Sequence, residues 1–378
     1  MKKVLLLAPM GSIHRRFNRA NIEALLQLRY DICLMANFED GEGAESQNTE
    51  FVEWCKIKGI EIKSIGFSRG SFFKNVGFIP EVKRFLKDNR FDIVHAHTET
   101  GGLILSLSQQ AKGKSKFVYT AHGLSFYDGG PLIGHIVYKP IERWICSRMD
   151  VNLAMNSEEL KLFSKWNSNK ATFFHGIGID LSRFDGIRER KAEIRQAIGI
   201  PEDATLLMSI GELDDNKNHA SVIQALGRKC IDLSHVYYII CGVGVMKKSL
   251  EEMASSLGIS EHVKFLGYRK DIPELIGASD LFVFPSKHEG LPVSLMEAMA
   301  GGLSVVCSRI RGCVDLIHEG MNGYLFNPND VDEISQKLNL LLKNKDKWPA
   351  FAENNLRDVK MYSHDVVVEE MNNLYSSF

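Results

Sequence analysis

The strongest constraint on the fold is an alternation of short apolar runs with amphipathic segments, which occurs in both halves of the 378-residue sequence. Continuous apolar runs separated by helical patterns are typical of parallel sheets that helices cover on both faces. Strands are predicted at 4–8, 31–36, 92–96, 117–120 and 151–154, and then at 205–210, 237–241, 263–266, 281–284, 304–307 and 324–326. The pattern therefore predicts an α/β protein with two doubly wound, Rossmann-like domains.

The boundary between the two domains is predicted near the glycine-rich stretch 176–186. The first domain then comprises 1–180, completed by an amphipathic helix at 361–378 that crosses back to it, and the second comprises 181–360. Ligands of open α/β sheets bind beyond the carboxyl ends of the strands, so a site is expected in a cleft that the two domains share. The first 180 residues have a net charge of +5 and the rest −6. This difference fits a first domain that touches an anionic partner, and scattered surface charge is the alternative.

Composition restricts the class of protein. Hydrophobic residues make up 44% and charged residues 25%, which are ordinary values for a globular chain. A net charge of −1 argues against a nucleic acid as partner. Seven cysteines without a C-x-x-C pair indicate reduced thiols and a cytoplasmic location. No run of 18 apolar residues predicts a transmembrane helix.

A turn with the sequence Glu-Gly-Leu-Pro, residues 289–292, separates the strand at 281–284 from a helix that carries Glu297. Backbone N–H groups at the start of a helix can bind a phosphate or a sugar hydroxyl. Glu289 and Glu297 can accept hydrogen bonds from the vicinal diols of a sugar or a ribose. The alternative interpretation is that both carboxylates are solvated charges near the end of a helix.

This segment closely resembles the donor-site motif of retaining glycosyltransferase family 4, and the similarity extends over most of the chain. The other matching segments are 211–218 (GELDDNKN), 241–244 (CGVG), 265–272 (FLGYRKDI) and 322–325 (NGYL), with 92–97 (DIVHAH) and 119–127 (YTAHGLSFY) in the first half. The last segment and 138–143 are most similar to members that build capsule, exopolysaccharide or lipid-linked oligosaccharides in bacteria.

The resemblance implies a GT-B fold and retaining transfer from a UDP-sugar to a hydroxyl of a glycan or a polyprenyl-diphosphate-linked saccharide. It implies that Glu289 binds hydroxyls of the donor sugar, together with the backbone of Gly290 and Leu291. It also implies that Glu297 binds the ribose diol. Lys217 would lie on the diphosphate and stabilise the leaving group without a metal ion or any other cofactor.

Three further positions concern the nucleotide. The resemblance places Tyr268 and Arg269 near the base, with contacts mainly through the backbone. Glu212 stands where many members have Arg, so Lys217 and the helix start would carry more of the phosphate charge. We assign Glu212 no phosphate role.

In the first half, Gly11 follows the first predicted strand, and the resemblance implies that it faces donor and acceptor across the cleft. A plain strand-to-helix turn is the alternative. His122 follows the strand at 117–120 and is predicted to donate or accept a hydrogen bond at a sugar hydroxyl or the leaving phosphate. We interpret His95 and His97 as facing opposite sides of their strand, which argues against a shared metal, and predict His97 at the acceptor side.

Several basic segments could meet anionic partners. His14, Arg15, Arg16 and Arg19 could bind an anionic acceptor or form a solvated helix face. The stretch from Tyr138 to Met149 and the segment Phe72-Phe73-Lys74 could rest on an anionic membrane. The basic and aromatic members of the longer stretch are Lys139, Arg143, Trp144 and Arg148. An amphipathic core helix is its alternative interpretation.

Other functions fit less well. A nicotinamide dehydrogenase would need a third glycine after Gly242 and Gly244, where the sequence has Met246-Lys247. A sugar-nucleotide 2-epimerase of the same fold, or a catalytically silent partner subunit, is an alternative to a transferase. The presence of Lys217 and His122 together with both glutamates argues against a silent subunit.

Overall fold

The computed structural model describes residues 1–39, 45–68, 72–109, 115–127, 129–167 and 170–378. The chain divides into two compact units: Met1–Gly178 with His364–Phe378, and Ile179–Ser363. Each unit contains one sheet, and every pairing between its described strands is parallel. The carboxyl ends of the strands in each sheet therefore meet at one edge, where their connecting loops begin.

The first sheet has seven described strands in the order β3-β2-β1-β4-β5-β6-β7. They are β1 (Lys3–Met10), β2 (Asp31–Asn37), β3 (Glu61–Ser64), β4 (Ile93–His97), β5 (Lys116–Thr120), β6 (Val151–Ala154) and β7 (Ala171–Phe173). The five predicted strands are present. β3 and β7 were not predicted because they are short edge strands whose side chains are only partly buried, so neither forms an apolar run.

Helices cover both faces of this sheet. They are α1 (Gly11–Phe17), α2 (Arg19–Gln27), α3 (Glu45–Ile57), α4 (Phe72–Val76), α5 (Ile79–Asp88), α6 (Thr98–Ser108), α7 (Lys139–Arg148) and α8 (Ser157–Asn167). The helix predicted at 361–378 begins at His364 and ends at Ser376, and it packs on α2 within the first unit. Asn372 Nδ2 donates to Gln27 Oε1 at 2.7 Å, and Tyr375 is fully buried.

The second sheet has six strands in the order β10-β9-β8-β11-β12-β13. They are β8 (Thr205–Ile210), β9 (Val236–Cys241), β10 (Val263–Gly267), β11 (Leu281–Phe284), β12 (Ser304–Ser308) and β13 (Gly323–Phe326), and all six were predicted. Their helices are α9 (Lys191–Ala197), α10 (His219–Leu226), α11 (Lys247–Ser256), α12 (Ile272–Ala278), α13 (Val293–Ala300), α14 (Cys313–Leu316), α15 (Val331–Lys343) and α16 (Trp348–Asp358), and the C-terminal helix is then α17 (His364–Ser376). Two apolar clusters, one on each face, bury this sheet.

The glycines at 242 and 244 have a packing explanation. A Cβ on Gly242 would lie 1.8 Å from the carbonyl oxygen of Gly211, and one on Gly244 would lie 2.4 Å from that of Leu213. The loops after β8 and β9 thus approach closely enough to exclude side chains. This contact explains the Gly-Val-Gly sequence without a dinucleotide.

Candidate active site

Two loops follow β8 and β11 at the carboxyl edge of the second sheet, and hydrogen bonds join them. Asn216 Nδ2 donates to the carbonyl oxygen of His288 at 3.1 Å. Asn218, whose backbone is left-handed with φ 54°, donates through Nδ2 to the carbonyl oxygen of Pro285 at 3.1 Å. Asparagine tolerates this backbone conformation better than most residues. Lys217 is therefore held between two anchored asparagines, neither of which was predicted as a site residue.

Lys217 and Glu289 form an ion pair in which Nζ lies 2.5 Å from Oε1. Their side chains are only 24% and 15% exposed, so solvent screens this pair less than a surface ion pair. A Cβ at position 211 would lie 3.0 Å from Lys217 Cδ, so Gly211 leaves room for the lysine stem. The ammonium has three donors and the carboxylate has further lone pairs, so the pair can bind both a phosphate and a hydroxyl.

The turn before α13 carries Gly290 and Leu291, and the helix begins at Val293. A Cβ on Gly312 would lie 2.3 Å from the carbonyl oxygen of Gly290, and the backbone of Gly312 has φ 75°. A side chain at position 312 would therefore displace this turn. Tight backbone packing fixes the position of Glu289 relative to the helix.

Glu297 lies in the second turn of α13 and is paired with a residue that the sequence did not indicate. Arg183 Nη1 lies 3.5 Å from Glu297 Oε1. Burial raises the pKa of the Glu297 carboxyl, and the charge of Arg183 partly opposes the increase. The two residues are 114 positions apart, so no local pattern could have revealed the contact.

Tyr268 and Arg269 follow β10 at the same edge of the sheet. Tyr268 is 64% exposed, whereas Arg269 Nε donates to Asp271 Oδ1 at 2.8 Å. This hydrogen bond lowers the pKa of Asp271. The Arg269 guanidinium is thus paired within its own loop, and the backbone contact with the base stays a prediction. The Glu212 side chain is exposed, and it makes no hydrogen bond or ion pair with the side chains that the structure describes.

In the first unit, α1 begins at Gly11 directly after β1. A Cβ there would lie 2.7 Å from Phe38 Cδ1, so packing within the unit already requires glycine. His14, on the same helix, is fully buried and Nε2 donates to the carbonyl oxygen of Met35 at 3.2 Å. Burial lowers the pKa of His14 to about 4. His14 therefore forms neither a solvated face nor an anion site.

Arg19 also has a local partner. Its guanidinium carbon lies 4.6 Å from the ring centroid of Phe51 and 4.3 Å from that of Trp54. Such cation–π stacking holds the guanidinium against α3. Arg16 remains exposed on α1.

The interpretation that His95 and His97 face opposite sides of β4 was wrong. Side chains two residues apart on a strand share a face, and these two rings have centroids 4.1 Å apart. His97 is fully buried and its Nδ1 lies 3.0 Å from Nε2 of His122, at the end of the neighbouring strand β5. His97 can therefore affect a bound acceptor only through its contact with His122.

Within the described ranges of the chain, no group of three or more His, Cys, Asp or Glu side chains could hold a metal ion. Burial lowers the pKa of His122 to about 4 and that of His97 well below its usual value. Both rings are therefore neutral near pH 7, so they can form hydrogen bonds but carry no positive charge.

Comparison with known proteins matches both halves of the chain to sugar-transfer families. The family described as Glycosyltransferase Family 4 matches residues 16–182, and that described as Glycosyl transferases group 1 matches residues 190–358. EpsD of Bacillus subtilis (strain 168), a provisionally named glycosyltransferase, is 26% identical over 100% of this chain and 97% of its own length.

A second relative is the UDP-Gal:alpha-D-GlcNAc-diphosphoundecaprenol alpha-1,3-galactosyltransferase of Escherichia coli. It is 25% identical over 85% of this chain and 87% of its own. The crystal structure of Anabaena Alr3699/HepE in complex with UDP superimposes with a TM-score of 0.81 at 19% identity, over the full length of both chains. The predicted fold of two Rossmann-like domains is confirmed.

The raised pKa of Glu297 predicts how its removal changes stability. The pKa of this carboxyl is higher in the folded state than in the unfolded state. At a pH above the folded-state pKa the ionised carboxylate therefore lowers the stability of the fold. This cost disappears when the pH falls below the ordinary carboxyl pKa, because the group is then protonated in both states. We expect Glu297→Gln to melt at a higher temperature than the parent at about pH 8, and at the same temperature as the parent at about pH 4. Differential scanning calorimetry of the unliganded protein measures this, with the exposed Glu261→Gln as control. A lower melting temperature at pH 8 would contradict the expectation.

Proposed function

Because this chain belongs to the family 4 glycosyltransferases, we propose that it transfers a sugar from a UDP-sugar to a hydroxyl of a glycan or lipid-linked saccharide, with retained anomeric configuration. The two family models together span most of the chain. The E. coli relative is named for a UDP-galactose donor and a diphosphoundecaprenol-linked acceptor. The Anabaena neighbour holds UDP. These relatives support a role in the synthesis of bacterial surface polysaccharide.

The observation that carries the proposal is the ion pair between Lys217 and Glu289. A transferase must hold a diphosphate and the hydroxyls of the adjoining sugar at the same time. Lys217 Nζ supplies a cation, and Glu289 Oε1 supplies a hydrogen-bond acceptor. The two atoms lie 2.5 Å apart at the carboxyl edge of the sheet. In the proposed complex Lys217 binds the diphosphate, Glu289 accepts hydrogen bonds from sugar hydroxyls, and Glu297 accepts them from the ribose.

The reaction we propose exchanges one bond at the anomeric carbon for another. The bond from that carbon to the diphosphate oxygen breaks, the acceptor oxygen bonds to the same carbon on the same face, and the acceptor proton passes to the departing diphosphate. Lys217 stabilises the charge that develops on the leaving group. No side chain is assigned as a nucleophile, so leaving-group stabilisation supplies most of the catalysis.

The alternatives have less support. The family models and the relatives described above are named for sugar transfer, which favours a transferase over a sugar-nucleotide 2-epimerase. The intact pair of Lys217 and Glu289 also favours an active enzyme over a silent partner subunit, because an unused ion pair in a partly buried position has no evident structural need.

Substitution separates the roles of the two partners. We expect Lys217→Ala to weaken UDP binding by roughly 10- to 100-fold, since a charge-assisted hydrogen bond contributes about 1.5–3 kcal/mol. Glu289→Gln should leave UDP affinity nearly unchanged and lower the transfer rate by at least about 100-fold. Isothermal titration with UDP and a radiolabelled-sugar transfer assay measure both quantities.

The matched control is Lys287→Ala, because Lys287 lies on the same pair of loops but pairs at 2.8 Å with Asp215, which is 85% exposed, and not with Glu289. Its UDP affinity should equal that of the parent. Equal UDP affinity of the parent and Lys217→Ala, or full transfer by Glu289→Gln, would contradict the assigned roles.

We further propose that transfer needs no metal ion, because Lys217 supplies the cation that would otherwise neutralise the diphosphate. We expect the transfer rate to be unchanged in excess EDTA and after addition of Mg²⁺ or Mn²⁺ to the chelated enzyme. The same assay run on a metal-dependent sugar transferase shows that the chelator is effective. Loss of activity in EDTA that Mg²⁺ or Mn²⁺ restores would overturn the proposal.

The first unit carries an exposed apolar segment that fits a membrane surface. In the part of the chain that the structure describes, no helix is long and apolar enough to cross a bilayer. Just before α7, however, Leu132, Ile133 and Ile136 are 76%, 58% and 68% exposed. We call the residues Leu132, Ile133, Ile136, Val137 and Tyr138 the apolar turn. Exposed apolar side chains grouped in this way mark an interaction site.

The fold holds the apolar turn in place. Gly134, at its centre, is buried so tightly that a Cβ would lie 2.9 Å from the carbonyl oxygen of Ser125. His135 Nε2 donates to the carbonyl oxygen of Tyr127 at 3.0 Å. On the following helix Ile145 is fully buried while Trp144 is 39% exposed.

The interpretation of the stretch from Tyr138 to Met149 as an amphipathic core helix accounts for the buried face of α7, and we propose that its exposed face contacts the membrane. The exposed basic side chains of α7, Arg143 and Arg148, follow the apolar turn in the chain and would meet anionic headgroups. The side chains of Phe72 and Phe73, in the second predicted patch, lie outside the described residues. We propose a peripheral position at the cytoplasmic face of the membrane, where a lipid-linked acceptor would be presented.

Charged substitutions in the apolar turn test this position. We expect the double variant Leu132→Asp, Ile136→Asp to bind vesicles of phosphatidylcholine and phosphatidylglycerol at least about 100-fold more weakly than the parent, since burying each of the two side chains contributes about 1.5–3 kcal/mol. Vesicle flotation measures the binding. Met321→Asp alters a similarly exposed apolar side chain, 59% exposed, in the second unit and should bind as the parent does. Equal binding of the double variant and the parent would exclude the apolar turn as the contact.

A further inference from the structure

Arg183 lies in a short segment whose backbone is fixed on both sides. It belongs to the 3₁₀ turn Leu181–Phe184, and the Asp180 side chain caps this turn by accepting a hydrogen bond from the backbone of the turn. On the other side, Phe184 is buried and belongs to the apolar cluster that also contains buried side chains of α13. The turn that carries Arg183 and the helix that carries Glu297 thus share one apolar core within the second unit.

The Glu297 carboxylate has one oxygen in contact with Arg183 and the other open. Arg183 Nη1 lies 3.5 Å from Oε1, and the side chains of Arg183 and Glu297 are 48% and 16% exposed. Oε2 has no hydrogen bond with the residues that the structure describes, and it is not among their buried unsatisfied atoms. The guanidinium therefore faces one oxygen of the carboxylate, and the second oxygen can accept hydrogen bonds from a ligand.

A ribose diol binds best to this carboxylate when the group is ionised. An ionised carboxylate offers only acceptors, and hydrogen bonds to it are about twice as strong as those to a neutral group. Burial opposes ionisation and raises the pKa of Glu297, whereas the charge of Arg183 lowers it. Among the described residues, Arg183 is the charged side chain that acts on this pKa. An arginine suits this position because its guanidinium stays protonated at every pH at which the protein is folded.

We propose that Arg183 is a positioning residue for nucleotide binding, which keeps Glu297 ionised and oriented so that Oε2 accepts hydrogen bonds from the ribose diol. The role in binding rests on the proposed function, whereas the effect of Arg183 on the charge of Glu297 does not. In this arrangement Arg183 acts through Glu297 and does not bind the diphosphate, which is held by Lys217.

The charge of Glu297 can be measured on the unliganded full chain. A ¹³C spectrum of protein labelled at the glutamate carboxyls follows each titration, and Glu297→Gln identifies the signal. We expect the pKa of Glu297 to be higher in Arg183→Gln than in the parent, because an opposite charge has been removed. Arg183→Lys retains a positive charge and should leave this pKa close to the parent value. Equal pKa values in Arg183→Gln and the parent would overturn the proposal whether or not the protein binds UDP.

The pH dependence of UDP binding tests the consequence. We expect Arg183→Gln and the parent to bind UDP within about twofold of each other at about pH 8.5, where Glu297 is ionised in both. At about pH 5.5 the variant should bind roughly 3- to 10-fold more weakly than the parent, because more of its Glu297 is protonated. Isothermal titration measures the ratio of the two affinities, in which the protonation of UDP itself cancels. An equal loss of affinity at every pH would overturn the proposal.

The nucleotide 2′-deoxy-UDP separates the diol from the diphosphate. It has the base and the phosphates of UDP but lacks one hydroxyl of the diol. We expect the parent to bind UDP roughly 10-fold more tightly than 2′-deoxy-UDP, since a hydrogen bond to a charged group is lost. Arg183→Gln should lower this preference by at least about threefold at about pH 5.5. If the variant weakens both nucleotides equally, Arg183 acts on the diphosphate and the proposal is wrong.

Arg190→Gln is the matched control. Arg190 is an exposed arginine of the same unit that pairs with Glu193, three residues further along the chain. Its substitution should leave the pKa of Glu297 and the affinity for UDP at the parent values. Arg183→Glu reverses the charge and should enlarge both effects of Arg183→Gln, so a second variant decides the question if the first does not fold. If the parent does not bind UDP, the proposed function and the ribose role fail together, and the ¹³C titration still decides whether Arg183 controls the charge of Glu297.

Discussion

Parallel strand pairing is the constraint on which the rest of this structure depends. Because every described strand runs parallel to its neighbours, the strand ends of each sheet meet at one edge, and the loops there bring together residues that are distant in sequence. In the second unit this edge unites Lys217 with Glu289, which are 72 positions apart. In the first it unites His97 with His122. Both pairs exist only because the strands that carry them are adjacent.

The two sites differ in their charge. The loops around Lys217 and Glu289 hold two opposite charges in a partly buried position, where each stabilises the other. A ligand with its own charge and hydroxyls would compete for both side chains. Around His97 and His122 burial removes charge altogether, and hydrogen bonds alone determine what the rings can do. The first site therefore offers charges to a ligand, whereas the second offers only hydrogen bonds.

Glycine has a consistent role at these edges. Gly242 and Gly244 let two loops approach within the space of a methyl group, and Gly312 does the same against the turn at Gly290. At Gly11 the required space is taken by Phe38. Glycine in a motif can therefore reflect packing that positions a site, and it need not contact the ligand directly.

The sequence by itself determined the α/β class, eleven of the strands and the residues of the donor motif, because apolar periodicity and turn chemistry are local properties. Only the tertiary structure revealed the edge strands β3 and β7, the contact between Arg183 and Glu297, the burial of His97 and the exposure of the apolar turn. The edge strands are short and partly polar, and the other features depend on which distant segments pack together. Long-range contacts and burial leave no periodic trace in a single sequence, and they make His97 fully buried while His122, on the neighbouring strand end, is only partly buried.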